Sequence, residues 1–329
     1  MNSGINESQL EFIHTRYGKT CTVTPLQEEA SSRRYFHITT THNREEVVCV
    51  DETINEDFVQ LSLYLDQNGF HVPKIYETNK SLGILCMSFE GKLDFSSYQL
   101  SEYMSQFPKI VDLILKLQSL EPPSFVKNRR FDLEKLSFET NLTLEKFDSF
   151  QAKYQLKTSI TAEARAFMEE TIGYLDKYAI NVFTHRDFHC RNLLRSPIHS
   201  YVLIDYQDAR MGVPQYDLAS ILYDAYYPLP REFRLKMLQY FQERNVDQSK
   251  KFKDTFYLQA LQRSFKALGT YFRMVVDHDK EKFKPSILSC LNQLEEIIQL
   301  GMFADSLFIF VRSLRDELSR HKDFRNLSL

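Results

Sequence analysis

Asp187 and Asn192 are separated by four residues in His185-Arg186-Asp187-Phe188-His189-Cys190-Arg191-Asn192, and a hairpin then returns through Tyr201-Val202-Leu203-Ile204 to end on Asp205. This arrangement restricts what the chain can fold into more than any other feature. The spacing sets a carboxylate and an amide at opposite ends of one tight loop, with a second carboxylate closing the strand that follows. Transfer of a phosphoryl group from a nucleotide needs these groups: one carboxylate to orient the acceptor hydroxyl and take its proton late, and oxygen ligands for Mg2+. Asp187 fits the first role, Asn192 and Asp205 the second. A helix cap, a turn closure and a strand end would each explain one of the three. Only the phosphoryl-transfer reading explains their joint spacing.

The 329 residues, 43% hydrophobic and 13% aromatic, are enough to bury a large core. Two lobes are expected, residues 1–90 for nucleotide and 91–329 for the catalytic loop and acceptor. A formal charge of -3 offers no long-range pull on nucleic acid or acidic lipid, and Lys127, Arg129 and Arg130 read as a solvated loop. The polar start Met1-Asn2-Ser3-Gly4 lacks a basic head and apolar stretch, and no apolar run is long enough to span a bilayer, so a cytoplasmic enzyme is expected. Cys21, Cys49, Cys86, Cys190 and Cys290 are scattered without a Cys-x2-Cys pair and read as reduced thiols, Cys190 among them despite its place in the loop. His185 and His189 have no third soft ligand following them. His185 is read as holding the loop's backbone.

The first lobe shows short strand patterns around one helix. Tyr35 to Thr39 and Glu46 to Val50 pair across Thr41-His42-Asn43-Arg44, and a helix spans Asn55 to Gln67, with Phe58, Leu61 and Leu65 on one face and Gly69 after its end. Gly83 to Met87 reads as a buried strand entering a hinge near Ser88-Phe89-Glu90-Gly91. Beyond it the pattern is helical: a stripe from Met104 to Leu117 stopped by Pro122-Pro123, then 131–155, 160–178, 231–245, 250–275, and 284–320 broken near Gly301.

At the loop residues the chain resembles the aminoglycoside phosphotransferase superfamily. Its likeness is nearer to a bacterial sugar-kinase branch acting on the C1 hydroxyl of N-acetylmuramate and N-acetylglucosamine in cell-wall recycling. Glu29 to Phe36, Gly69 to Ile75, Ile204 to Gly212 and Leu261 to Gly269 carry that likeness in the expected order. The resemblance implies an α+β, bilobal, protein-kinase-like fold, with a small antiparallel sheet and one helix before a mainly helical second lobe. It implies ATP and Mg2+ as reactants and cofactor, a sugar as the partner molecule, and Asp217 bracing the catalytic loop. Glu139, on a helix the related sugar kinases use near their acceptor, Asp208 and Arg210, just beyond Asp205, and Arg273 are candidates to meet the acceptor sugar, with solvent exposure or a structural ion pair the other reading of each. Adenine would be read by main-chain groups of Ser88, Phe89 and Glu90.

Two departures concern the phosphates. Many kinases use a glycine-rich turn and a third-strand lysine; here the turn is Ser31-Ser32-Arg33-Arg34, and Val47 to Asp51 has no lysine. Backbone N–H groups, the Ser31 and Ser32 hydroxyls and the charge of Arg33 or Arg34 are expected to replace them. An aminoglycoside kinase, a choline or homoserine kinase, and a kinase fold that binds nucleotide without catalysis stay open beside the sugar kinase. The near-neutral second lobe argues against a polycationic acceptor.

Overall fold

The computed structural model describes residues 4–26, 33–196 and 198–327. In chain order the elements are α1 (Glu7–Tyr17), β1 (Thr22–Pro25), β2 (Arg34–Thr39), β3 (Glu45–Val50), α2 (Glu56–Gln67), β4 (Ile75–Asn79), β5 (Ile84–Ser88), α3 (Leu100–Gln118), α4 (Ser124–Lys127), α5 (Leu133–Tyr154) and α6 (Ala162–Asp176). They continue as β6 (Val182–Thr184), β7 (Leu193–Leu194), β8 (Val202–Leu203), β9 (Arg210–Gly212), α7 (Tyr216–Leu222), α8 (Arg231–Gln242), α9 (Phe252–Val276), α10 (Lys284–Gly301) and α11 (Asp305–Arg320). Two compact units result, one of residues 1–97 with 191–208, the other of 98–190 with 209–329. No helix among the described residues is long and apolar enough to cross a membrane.

The first unit is built on an antiparallel sheet of order β1-β2-β3-β5-β4. Alternation along the strands sorts residues to its two faces. Phe36 and Ile38, Val48 and Val50, and Ile84 and Cys86 form a buried cluster with Ile13 and Tyr17 of α1. Burying each large apolar side chain there contributes roughly 1.5–3 kcal/mol. Tyr35, Cys49, Leu85 and Met87 line a pocket together with Phe58 of α2. The helix α2 starts where the sequence places it: the Asn55 side chain caps the Phe58 N–H, and Phe58, Leu61 and Leu65 are buried. By contrast α1 is an addition to the one helix expected, because its sequence has no broad apolar stripe. It is set instead by a capping box between Asn6 and Gln9 and by the burial of Ile13 and Tyr17. The β7–β8 hairpin is part of this unit. Leu203 N–H donates to the His71 carbonyl (2.8 Å), and the Tyr206 ring stacks on Phe58 at 5.0 Å.

In the second unit the long helices form the core, and α5 and α9 approach closely at Gly269. A Cβ there would lie 2.7 Å from the Thr143 Cα, so only glycine lets the two helices meet. Thr143 Oγ1 donates to the Phe265 carbonyl at 3.3 Å. The contact sets the turns preceding it, with Glu139 on α5 and Lys266 on α9, side by side. The helical pattern over 284–320, expected to break near Gly301, forms α10 and α11, with the break at Met302, which takes a left-handed conformation (φ 52°).

Candidate active site

The loop that carries Asp187 leaves β6, which pairs with β9 in the second unit. Asp217, in the first turn of α7 and fully buried, accepts the backbone N–H of His185 (2.7 Å) and of Arg186 (3.1 Å). These bonds hold Arg186 at φ 81°, a left-handed conformation that costs a non-glycine residue roughly 1–3 kcal/mol. Further along the loop, the buried Asp224 carboxylate accepts the Cys190 N–H (2.9 Å). Burial pushes the Asp217 carboxyl up to about 7, against the two N–H bonds and Arg263. The His185 ring is buried edge-on to Phe188 at 5.5 Å.

Cations surround Asp187. The Lys266 ammonium donates to its Oδ1 (3.2 Å), Arg263 Nη1 is 3.8 Å from the same oxygen, and Arg186 Nη1 is 3.8 Å from Oδ2. Burial would raise this carboxyl, but Lys266, Arg186 and Arg263 outweigh it and hold Asp187 well below the ordinary carboxylate range. Arg186 Nη2 also lies 3.8 Å from Glu139 Oε1. Glu139 is buried, accepts Gln262 Nε2 at 3.2 Å and pairs with Lys135 at 3.3 Å. Glu139 is therefore a neighbour of the Asp187 cluster. Its carboxyl is lowered, Lys266, Lys135 and Arg186 prevailing over burial.

In the first unit the β7–β8 hairpin joins Asn192 and Asp205. Ile204 N–H donates to the Asn192 carbonyl (3.1 Å), and Asn192 Nδ2 lies 3.3 Å from Asp205 Oδ2. Asp205 takes a left-handed conformation (φ 64°), which aspartate tolerates better than most residues, and its other oxygen accepts Gln207 Nε2 at 2.6 Å. An amide oxygen and a carboxylate form a hard, all-oxygen donor pair. Such a pair suits Mg2+, which takes one or two protein oxygens and fills its remaining positions from phosphate and water.

Strand alternation separates the two arginines that the sequence left equivalent. Arg33 faces the α2 side, pairs with Asp51 at 3.4 Å, lines the pocket with Tyr35 and Phe58, and stands within electrostatic reach of Asp205. Arg34 lies on the other side, against Gly4. Ser31 and Ser32 lie outside the described residues. Ser88 ends β5 and is tied to Lys74 through both its N–H and its hydroxyl, the latter accepting the Lys74 N–H (2.8 Å). Its hydroxyl also donates to Glu90, and the Phe89 ring sits 4.0 Å from that of His37.

Of the remaining sequence candidates, Asp208 is exposed in the first unit. Arg210 lies over the Phe131 ring at 5.1 Å, and Arg273 is half-exposed and 4.0 Å from Asp277. Lys266, Arg263, Gln262 and Asp224 were given no role on sequence. A signal existed: Gln259, Gln262, Arg263 and Lys266 recur at three- and four-residue steps along one face of a helix rich in apolar residues.

An ionised carboxylate held among cations on a braced loop in one unit, and an asparagine–aspartate oxygen pair on a hairpin in the other, are groups of the kinds that phosphoryl transfer requires. Residues 22–251 match the APH phosphotransferase enzyme family, and the chain belongs to it. It is accordingly an enzyme that transfers phosphate to a hydroxyl acceptor. The N-acetylmuramate/N-acetylglucosamine kinase of Neisseria meningitidis serogroup B is 27% identical over 288 residues, 82% of this chain and 83% of that one. Among solved structures, a choline kinase from Streptococcus pneumoniae shares the fold with a TM-score of 0.60 at 14% identity, covering 89% of this chain and 96% of that one. A spectinomycin phosphotransferase, solved with ADP and spectinomycin, also gives a TM-score of 0.60, at 13% identity over 92% and 98% of the two chains.

Proposed function

We propose that this enzyme is an ATP-dependent sugar kinase that phosphorylates the anomeric hydroxyl of N-acetylmuramate or N-acetylglucosamine, in the cytoplasm and in the service of cell-wall recycling. The charge around Asp187 carries the choice of acceptor. Lys266, Arg263, Arg186 and Lys135 outnumber the two carboxylates they stand against, Asp187 and Glu139. A polycationic aminoglycoside or a quaternary ammonium alcohol would meet like charge, whereas a neutral or acidic sugar would not. A carboxylate held this strongly ionised is also a weak base. The anomeric hydroxyl, acidified by the ring oxygen on its own carbon, asks least of such a base. The name of the Neisseria meningitidis relative points the same way.

The donor side rests on the first unit. Asn192 and Asp205 would hold Mg2+, which when bound neutralises charge on the phosphates of the nucleotide. ATP as donor is supported by the ADP held in the spectinomycin phosphotransferase. Main-chain groups of Phe89 and Glu90 would read adenine, since the Ser88 N–H and hydroxyl already serve Lys74. Arg33, just before β2 and within electrostatic reach of Asp205, would supply the positive charge for which β3 has no lysine. Arg33→Ala is expected to raise the KM for ATP roughly tenfold to a hundredfold, the worth of a charged hydrogen bond, while Arg34→Ala stays near the parent value. Equal KM values in the two variants would remove Arg33 from the phosphate clamp.

Phosphorus NMR of the product tests the acceptor. Incubation with ATP, Mg2+ and either sugar should give a phosphate signal coupled to the anomeric proton, and no product should form with choline or aminoglycosides. Turnover of a cationic acceptor alone, or a sugar phosphate lacking that coupling, would overturn the reading.

A further inference from the structure

A lysine in the middle of a buried helix needs a reason. Lys266 lies on α9, seventy-nine residues downstream of Asp187, and its Nζ reaches the carboxylate at 3.2 Å. One turn earlier on the same helix Arg263 approaches the same oxygen, its own Nε donating to Ser220 Oγ at 2.8 Å. Gln259 and Gln262, also buried on this face, bond to one another (3.0 Å), and Gln262 passes the contact on to Glu139. For stability alone this face is a poor choice. Desolvating buried ion pairs commonly costs as much as their attraction returns, and apolar residues of similar volume do as well or better. A helix that commits three buried positions and one partly buried position to polar groups, two of them on Asp187 and two leading to its neighbour Glu139, is shaped by the work of Asp187.

We propose that Lys266 is a positioning residue for the transfer: its ammonium fixes the rotation and the charge of Asp187, so that the acceptor hydroxyl meets a carboxylate already set in direction. The inference rests on the reading of Asp187 as the group that orients the acceptor. The geometry gives each neighbour a part. From the loop come Arg186 and His189, from α5 Glu139, from α7 Tyr216 and Asp217, and from α9 Arg263 and Lys266. Lys266 reaches Asp187 at 3.2 Å and approaches along a rigid helix whose place is fixed by the close contact at Gly269. Lys266 itself is less basic than an ordinary lysine, burial outweighing the attraction of Asp187. The attraction of Asp187 works against that loss and favours the ammonium. The two groups thus hold each other in the charged state.

The test is a double-mutant cycle read in steady-state kinetics, using the full chain and whichever hydroxyl acceptor the parent enzyme phosphorylates. Lys266→Met should lower kcat on the order of tenfold to a hundredfold, as misplacement of a reacting group does, with the KM for ATP unchanged. Lys266→Arg should recover part of the loss. In an Asp187→Asn background the same Lys266→Met change should cost almost nothing more, because a residue that acts through Asp187 has nothing left to act on. An equal loss in both backgrounds, or a parent-like kcat in Lys266→Met, would overturn the proposal. Lys266→Gln, which keeps length and a hydrogen-bond donor without charge, substitutes if the methionine variant does not fold and is held to the same outcomes. Parent-like turnover in Asp187→Asn alone would instead sink the reading of Asp187.

Discussion

Asp187→Asn is expected to lower kcat by about two to four orders of magnitude, the range for removing a group that takes a proton in the transition state. The substitution is nearly isosteric, so the loop's bonds to Asp217 and Asp224 should survive it. What changes is charge. Lys266 and Arg263 both stand on Asp187 Oδ1, and neutralising it leaves two cations of α9 facing Arg186 without that counter-charge. Some loss of thermal stability should therefore accompany the loss of activity, and unfolding followed by circular dichroism separates the two. A folded variant with near-parent turnover would take Asp187 out of the reaction.

Asp217→Ala should be the most damaging change away from the substrate. It removes the acceptor of one buried and one partly buried N–H group, a buried one costing roughly 1–3 kcal/mol when left without a partner. It also releases Arg186 from its left-handed conformation. A destabilisation of about 2–5 kcal/mol by denaturant unfolding is expected on that basis, with kcat down on the order of a hundredfold as Asp187 loses its place. Asp217 also predicts a pH effect of definite sign. Burial holds its carboxyl up at about 7, whereas an aspartate in an unfolded chain titrates near about 3.9. Between those values the folded protein keeps a proton that the unfolded chain has released. The stability Asp217 contributes is therefore full below about 3.9 and is lost as pH rises through about 7. Relative to Asp217→Asn, the parent should lose stability between pH 5 and pH 8. Asp187 does not interfere, because its depressed carboxyl matters only as pH falls below the ordinary aspartate range. Identical pH slopes in parent and Asp217→Asn would show that Asp217 does not titrate there.

Legibility in the sequence followed locality. The α2 helix was readable from Asn55, Phe58, Leu61 and Leu65, because a cap and a 3.6-residue stripe lie within a dozen positions. The helices α3, α5, α6, α8 and α9 were readable on similar stripes. The first helix was not, since Ile13 and Tyr17 matter only once a sheet face made of Phe36, Val48 and Ile84 exists to receive them. Arg33 and Arg34 could not be told apart on sequence, because adjacent strand residues point to opposite faces and register decides which face holds the pocket. Lys266 could not be given a role on sequence, for its partner lies seventy-nine residues earlier in the chain.

The sequence by itself determined the chemistry on offer: a carboxylate and an amide five positions apart, a hairpin, and a second carboxylate, all placed by covalent spacing that no packing can alter. Only the tertiary structure decided the electrostatics, bringing Lys266 and Arg263 to Asp187, Asp217 to the loop backbone and Arg33 to the face of Asp205. Coulomb interactions depend on distance in space and on burial, and neither follows from separation along a chain whose helices meet at a contact as specific as Gly269 on Thr143.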